Sequence, residues 1–273
     1  MYRGLVQHKI YLTSYLRNQA ESRGLEKGID KGRIYRVVYK GNNTSSTKLA
    51  KANGSDLVAA LSSDNGWVRD TAQRLLIESK DDVNYKLANL AKEGNHALGR
   101  VHALWSLEGR AAISPDIILD ALKDVDRSVR MSAARLAEPW LKVTGSDAIL
   151  DQLILNTRTD DITELRQMVL SLGAQKNILS HMAIRSVLYN HAEKPHILDA
   201  ALSGLAGQEL EFLELLLGEK RWHNAKNRSN VIEALADCIF KEGRPSRVGN
   251  LVYYTYGRRT CLLYTSPSPR DRG

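Results

Sequence analysis

One helical phrase recurs across residues 64–137, and its spacing restricts the chain to stacked helices before any other feature is weighed. Arg69, Ala72 and Leu75 form the first copy, Arg100, Ala103 and Leu107 the second, and Arg130, Ala133 and Leu136 the third. The arginines stand 31 and 30 residues apart. A fixed period between about 20 and 50 residues marks a solenoid or an array of repeats. Positions three, four and seven apart share one helical face. Each phrase therefore places an arginine near a helix start, a small residue where a neighbouring helix comes close, and a leucine in the core. Weaker echoes open at Arg166 and Asp199, with steps of 36 and 33 residues. The pattern predicts a mostly α fold: a HEAT-like α-solenoid of helical hairpins.

The hairpins read as helices over 56–62 and 65–79, 82–93 and 95–108, 115–123 and 126–141, 146–155 and 161–172, and 175–190 and 195–206. Further helices are expected over 208–217 and 227–242. Ser114 followed by Pro115 is a helix start, an N-cap with proline in the first turn. Ser55 or Asp56 is the expected cap of the first repeat helix. No single hairpin buries its own apolar face, so stability must come from stacking on neighbours. Arg69, Arg100 and Arg130 are expected to reach carbonyls or carboxylates in adjacent turns.

Charge separates the repeats from the ends. The chain carries a formal +8. Residues 1–40 hold +6 of it and residues 244–273 hold +5, which leaves −3 on the body between them. A solenoid that binds nucleic acid needs a basic stripe along its repeats, and this one is mildly acidic there. No nucleic-acid partner is expected. No stretch of 18 consecutive apolar residues is present, so no membrane-spanning helix is expected.

Residues 1–40 have a different texture. Residues 4–12 partly alternate, 15–23 suit a short helix, and Gly24, Gly28 and Gly32 punctuate a charged loop. Residues 32–39 then read as a strand of β-branched and aromatic residues. One or two strands are not stable alone, so the segment reads as a remnant of a β domain lying upstream. Residues 41–54 form a polar linker, 55–243 the solenoid, and 244–260 a truncated continuation. Residues 1–8, then Tyr11-Leu-Thr-Ser-Tyr15-Leu-Arg17, then Gly32-Arg33-Ile34-Tyr35-Arg36-Val37 resemble the close of the β-propeller in the large membrane-bound dehydrogenases of planctomycete and verrucomicrobial type. The stretches around Trp67-Val68-Arg69 and His102-Ala103-Leu104-Trp105 resemble the HEAT repeats that follow the propeller in that family. The resemblance covers about residues 1–140. It implies an exported or membrane-associated parent with a sugar-dehydrogenase-like propeller upstream. It also implies a haem c module with a CxxCH motif downstream and a possible quinone cofactor. The chain itself carries no CxxCH. Its expected partners are therefore other domains of the same chain, with a possible protein partner on the solenoid surface. Its expected role is a structural spacer between propeller and haem domain, and no catalytic, cofactor or metal residue is assigned. The alternatives are a free-standing protein-binding solenoid and, further off, a nucleic-acid-binding HEAT protein. The tail from Cys261 to Asp271 resembles one reading frame of a transposase sequencing-adapter end, and residues 261–273 are set aside from fold reasoning.

The remaining chemistry-bearing residues receive structural readings. His181, His191 and His196 are the densest histidines, but their spacings of ten and five are not those of a helical metal pair. His102 should be a satisfied, partly buried histidine, and His8 a hydrogen-bonding group at a strand end. Asp81-Asp82 and Asp160-Asp161 should favour helix starts electrostatically. Trp67, Trp105 and Trp140 should be packing anchors between repeats. Cys238 should be a buried small hydrophobe. The glycines of the 24–32 loop lead into a strand rather than a helix N-terminus, so they are not a phosphate cradle.

Overall fold

In the computed structural model the described residues are 8–25, 48–143 and 147–257. They contain fourteen α-helices and no strand. The chain divides into two compact units, 1–47 and 48–273. In the first, a 3₁₀ turn over Lys9–Tyr11 precedes helix α1, Ser14–Ser22. The expected short helix is therefore present, capped by the Thr13 hydroxyl accepting from the Leu16 amide. The expected alternating segment is helical where it is described, because the Tyr11 amide donates to the His8 carbonyl and closes a turn. The expected strand over 32–39 lies outside the described residues.

The second unit is a run of hairpins. Their first helices are α2 (Gly54–Ala60), α4 (Asn84–Glu93), α6 (Pro115–Leu122), α8 (Asp147–Asn156), α10 (Ile178–His191) and α12 (Glu209–Leu217). The second helices are α3 (Gly66–Glu78), α5 (Ala97–Gly109), α7 (Arg127–Ala137), α9 (Ile162–Leu172), α11 (Ile197–Gly204) and α13 (Arg228–Glu242). Helix α14, Pro245–Gly257, follows where the sequence suggested only a truncated continuation. Pro245 there is the first helical residue, where its missing N–H costs nothing.

Caps explain where the helices start. Asn53, not Ser55 or Asp56, caps α2: its side chain accepts from the Asp56 amide while Asp56 bonds back to the Asn53 amide, a reciprocal capping box. Residues 49–53, which read as polar linker, thus belong to the repeat unit, and Leu49 is buried in it. Asn65, Asp126, Asp161 and Asn177 cap α3, α7, α9 and α10, each side chain accepting from first-turn amides of its helix. Ser114 caps α6 with Pro115 in the first turn, as its sequence indicates.

The second helices α3, α5, α7, α9 and α11 pack side by side along the stack. Ala72, Ala103 and Ala133 are fully buried at these contacts, and Leu76, Leu107 and Leu136 fill the space toward the first helices. Leu75 is only partly buried: the stripe of α3 runs through Val68, Ala72 and Leu76. The C-terminal ends of α9 and α11 come into backbone contact, where a Cβ on Gly173, the C-cap of α9, would lie 2.3 Å from the Gly204 Cα. Only glycine at both positions allows the two backbones to touch. Trp222, in a 3₁₀ turn over Lys220–Asn224, and Phe212 are the largest fully buried side chains.

Candidate functional site

The recurring arginines form a ladder along one edge of the stack. Each enters its helix four residues after the N-cap, which is Asn65 for Arg69, His96 for Arg100 and Asp126 for Arg130. Each guanidinium turns back to a carbonyl six residues earlier: Ser63 at 2.6 Å, Gly94 at 2.6 Å and Asp124 at 2.7 Å. Those carbonyls lie in the turns between paired helices, where no intrahelical donor can reach them. The arginine therefore closes its own hairpin.

Two of the rungs also reach the next repeat. Arg100 forks onto Asp124, with Nε at 2.7 Å and Nη2 at 2.8 Å. Arg130 forks onto Glu164, with Nε at 2.6 Å and Nη2 at 2.7 Å. Parallel N–H···O pairs of this kind are the strongest and most directional ion pairs available to a protein. Glu164 is fully buried, so Arg130 and the Thr159 hydroxyl replace its water. Burial works to raise the Asp124 pKa, but the Arg100 fork, the Asp126 amide and the charges of Arg100 and Arg130 outweigh it. The carboxyl is held below its ordinary value. The Arg130 guanidinium is correspondingly held more firmly charged, chiefly by its hydrogen bonds to Glu164. The expectation that these arginines meet carbonyls or carboxylates in adjacent turns is met at all three, by a carbonyl alone at Arg69 and by both kinds of acceptor at Arg100 and Arg130.

Arg110, which the sequence reading missed, clamps the connection between the first two hairpins. It donates to the carbonyls of Leu76, Ser79 and Asp81 and to the Asn84 side chain. Asp124 and Glu164 were also missed. Their signals were there: Asp124 stands six before Arg130, and Glu164 stands three after the cap Asp161, the spacing of a capping box. Beside the second rung a groove of about 580 Å³ opens between α4 and α6, with the Arg100–Asp124 pair in its lining. Lys92 and Asp120 bridge across it at 3.2 Å. Its lining mixes both signs of charge with Ala88, Ile117 and Val125.

The other candidates settle separately. His102 donates from Nδ1 to Gln73 Oε1 at 2.7 Å, and burial, followed by the charge of Arg69, lowers its pKa. It is the satisfied, partly buried histidine its sequence suggested. His8 accepts from the Ile10 amide at a turn, not at a strand end. His181 packs edge-on to Phe212, and burial lowers its pKa against the pull of Glu211. His191 ends α10, and His196 caps α11 with a left-handed backbone. The structure does not gather these three, and among the described residues no group of three or more His, Cys, Asp or Glu could hold a metal ion. Asp161 does serve its helix start, accepting from the amides of Thr163 and Glu164. Asp81 and Asp82 do not: α4 begins at Asn84, and Asp81 instead offers its carbonyl to Arg110. Cys238 is half-buried rather than buried, and its thiol is pushed up first by burial and then by Glu209. Gly24 takes a left-handed turn after α1, while Gly28 and Gly32 lie outside the described residues.

Trp105 and Trp140 pack against the core, but Trp67 is 66% exposed. It sits about 100° off the Val68–Ala72–Leu76 stripe of its helix, so the core cannot use it. The same edge carries Leu98, 49% exposed on the first turn of α5, and Val125, 93% exposed in the turn before α7. Among the described residues, no helix is long and apolar enough to cross a membrane. No protein family, curated protein or solved structure matches this chain.

Proposed function

We propose that the solenoid is a rigid spacer and interaction surface within a larger, exported or membrane-associated propeller dehydrogenase, positioned between a catalytic propeller and a haem c domain. The spacer role rests on the arginine ladder. A stack whose repeats met only through apolar faces could slide and flex, whereas forked ion pairs from Arg100 to Asp124 and from Arg130 to Glu164 fix one repeat's register on the next. The charges of this edge are thus spent on holding repeats together. The dehydrogenase context rests on the sequence resemblance of residues 1–140, and under this reading substrate chemistry, haem c and any quinone belong to the other domains.

A free-standing protein-binding solenoid is the second reading, favoured by the exposure of Trp67, Leu98 and Val125 on one edge. Sequencing the source locus past Met1 and past Thr260 separates the two. A frame that runs into repeated strand motifs upstream and a CxxCH downstream supports the spacer. A start codon at Met1 with a stop soon after Thr260 overturns it in favour of the free-standing solenoid.

A further inference from the structure

The turns that join paired helices differ in charge. In order they are residues 61–65, 94–96, 123–126, 157–161, 192–196 and 218–227, with formal charges of −1, 0, −1, −1, 0 and +2. In the earlier turns Asp124 completes a rung, and Asp126 and Asp161 cap helices. The cations of the last turn have no such employment. Lys220 and Lys226, with Lys194 of the turn before, are exposed, and among the described residues none of the three forms an ion pair. Arg221 is exposed too, with its guanidinium 4.2 Å from the ring centroid of Tyr189 near the end of α10. Glu219 stands off from it at 3.6 Å and is engaged at 2.6 Å by Arg185. A guanidinium held by its flat face keeps its in-plane N–H groups for an acceptor. Glu193, between the lysines, shows the kind of acceptor that suits this surface. Its carboxylate accepts from Asn227 Nδ2 at 2.6 Å. It is held below its ordinary pKa, first by its own backbone amide, then by Asn227, and further by the charges of Lys226 and Lys194. Asn227 makes no cap bond to α13, whose first turn carries no acid, so the positive end of that helix adds to the field.

We propose that the 218–227 turn, together with Lys194, docks an acidic segment of a partner protein domain, a short run of Asp or Glu side chains that meets Arg221 and the three free lysines. The observations favour a peptide over a nucleic acid. The basic surface is confined to this end of the edge, whereas a phosphate backbone needs a basic stripe that continues along the repeats, and the 157–161 turn is acidic. Single strands also need exposed aromatic faces for their bases. Here Arg221 covers a face of Tyr189, and Trp222 is wholly buried. The surface gives the interaction role proposed above a partner chemistry, and it rests on that role. The two fail differently: the reading frame at the locus decides the domain context, and peptide binding decides this surface.

The probes are fluorescein-labelled hexaglutamate, hexaglutamine and a thymidine hexanucleotide, each titrated into the full chain and followed by fluorescence anisotropy. Hexaglutamate should bind more tightly than either of the others, and its affinity should fall as salt is raised. Replacing Lys194, Lys220 and Lys226 together by Ala should weaken hexaglutamate about tenfold, the sum of three exposed charge contacts. All three sites are exposed, so the core is untouched, and an unchanged circular dichroism melt checks that the variant folds. Arg221→Lys keeps the charge but loses the planar donors, and it should weaken hexaglutamate several-fold. Equal binding of hexaglutamine would overturn the proposal. So would undiminished binding by the triple variant, which would move the site to the basic ends of the chain. Tighter binding of the hexanucleotide would overturn it in favour of a nucleic-acid surface.

Discussion

Arg130 enters α7 four residues after its cap and forks onto Glu164, whereas the same register of α9 and α11 is held by Leu165 and Ala200, both buried. The change coincides with a change of period. From cap to cap the second helices step by 31 and 30 residues through Asn65, His96 and Asp126, then by 35 and 35 through Asp161 and His196. In the short-period half, polar rungs at the helix starts hold the register. In the long-period half, the inner helices close on apolar side chains and on the Gly173–Gly204 backbone contact. Ion pairs there move to other elements: Arg185 of α10 meets Glu219 at 2.6 Å, and Arg247 of α14 meets Glu209 and Glu242. One architecture is thus built with two kinds of glue, directional in the first half and volume-filling in the second.

The sharpest way to break this contrast is to cut the last polar rung. Glu164→Ala leaves Arg130 without its acceptor where the pair is largely dry, and breaking such a pair costs about 3–5 kcal/mol. Repeats interact mainly with their nearest neighbours, so the loss should also uncouple the halves. Urea unfolding should change from one transition to two, read by circular dichroism. A single undiminished transition would mean that this rung does not join the halves. Leu165→Ala tests the apolar counterpart one residue along. Its expected cost is about 2–4 kcal/mol from lost burial and the cavity left behind. That loss should be independent of salt, whereas an electrostatic contribution at the rungs should depend on it.

The first half was the more legible from sequence because an arginine repeated at a fixed helical register must find oxygen atoms, and the turns between paired helices supply them. The echoes at Arg166 and Asp199 fall one residue out of register, since the caps Asp161 and His196 put Leu165 and Ala200 in the equivalent position. Once longer loops lengthen the period, the cap is the better ruler. Helix α14 was obscured because Pro245 reads equally as a breaker and as a first-turn residue. Trp67 departs from its expected packing role because hydrophobicity alone does not say which side of a helix faces the stack. Trp67 lies off its stripe, while Trp222, unremarked in sequence, is wholly buried with its ring edge-on to Tyr189.

The second rung should also carry a pH signature. Asp124 is more acidic in the fold than in the unfolded chain, so the unfolded state binds more protons in the acid range and stability rises with pH there. The contribution is complete above the ordinary aspartate pKa of about 3.9 and disappears as pH falls through the lowered native value. Asp124→Asn should cost about 1.5–3 kcal/mol at neutral pH, the range for hydrogen bonds to a charged group. It should also flatten the acid limb of the stability profile. An unchanged acid limb in the variant would show that the second rung contributes no such linkage.

The smallest effect sharpens the comparison through the backbone. After α5 the chain turns at Ala111, with φ of 52°, and the Ala112 amide donates to the Leu107 carbonyl to close the helix end. After α13 the same left-handed turn is made by Gly243, with φ of 69°. An L-residue with a Cβ in that conformation pays about 1–2 kcal/mol that glycine does not. Part of the gain on substitution is returned as extra entropy of the unfolded chain, about 0.4–1 kcal/mol. Ala111→Gly should therefore stabilise the first half by a net of about 0.5–1 kcal/mol, seen as a small upward shift of its urea midpoint. Gly243→Ala should move the second half in the opposite direction by a similar amount. If both substitutions destabilise, side-chain packing outweighs backbone strain at Ala111, and the two helix ends are not equivalent turns.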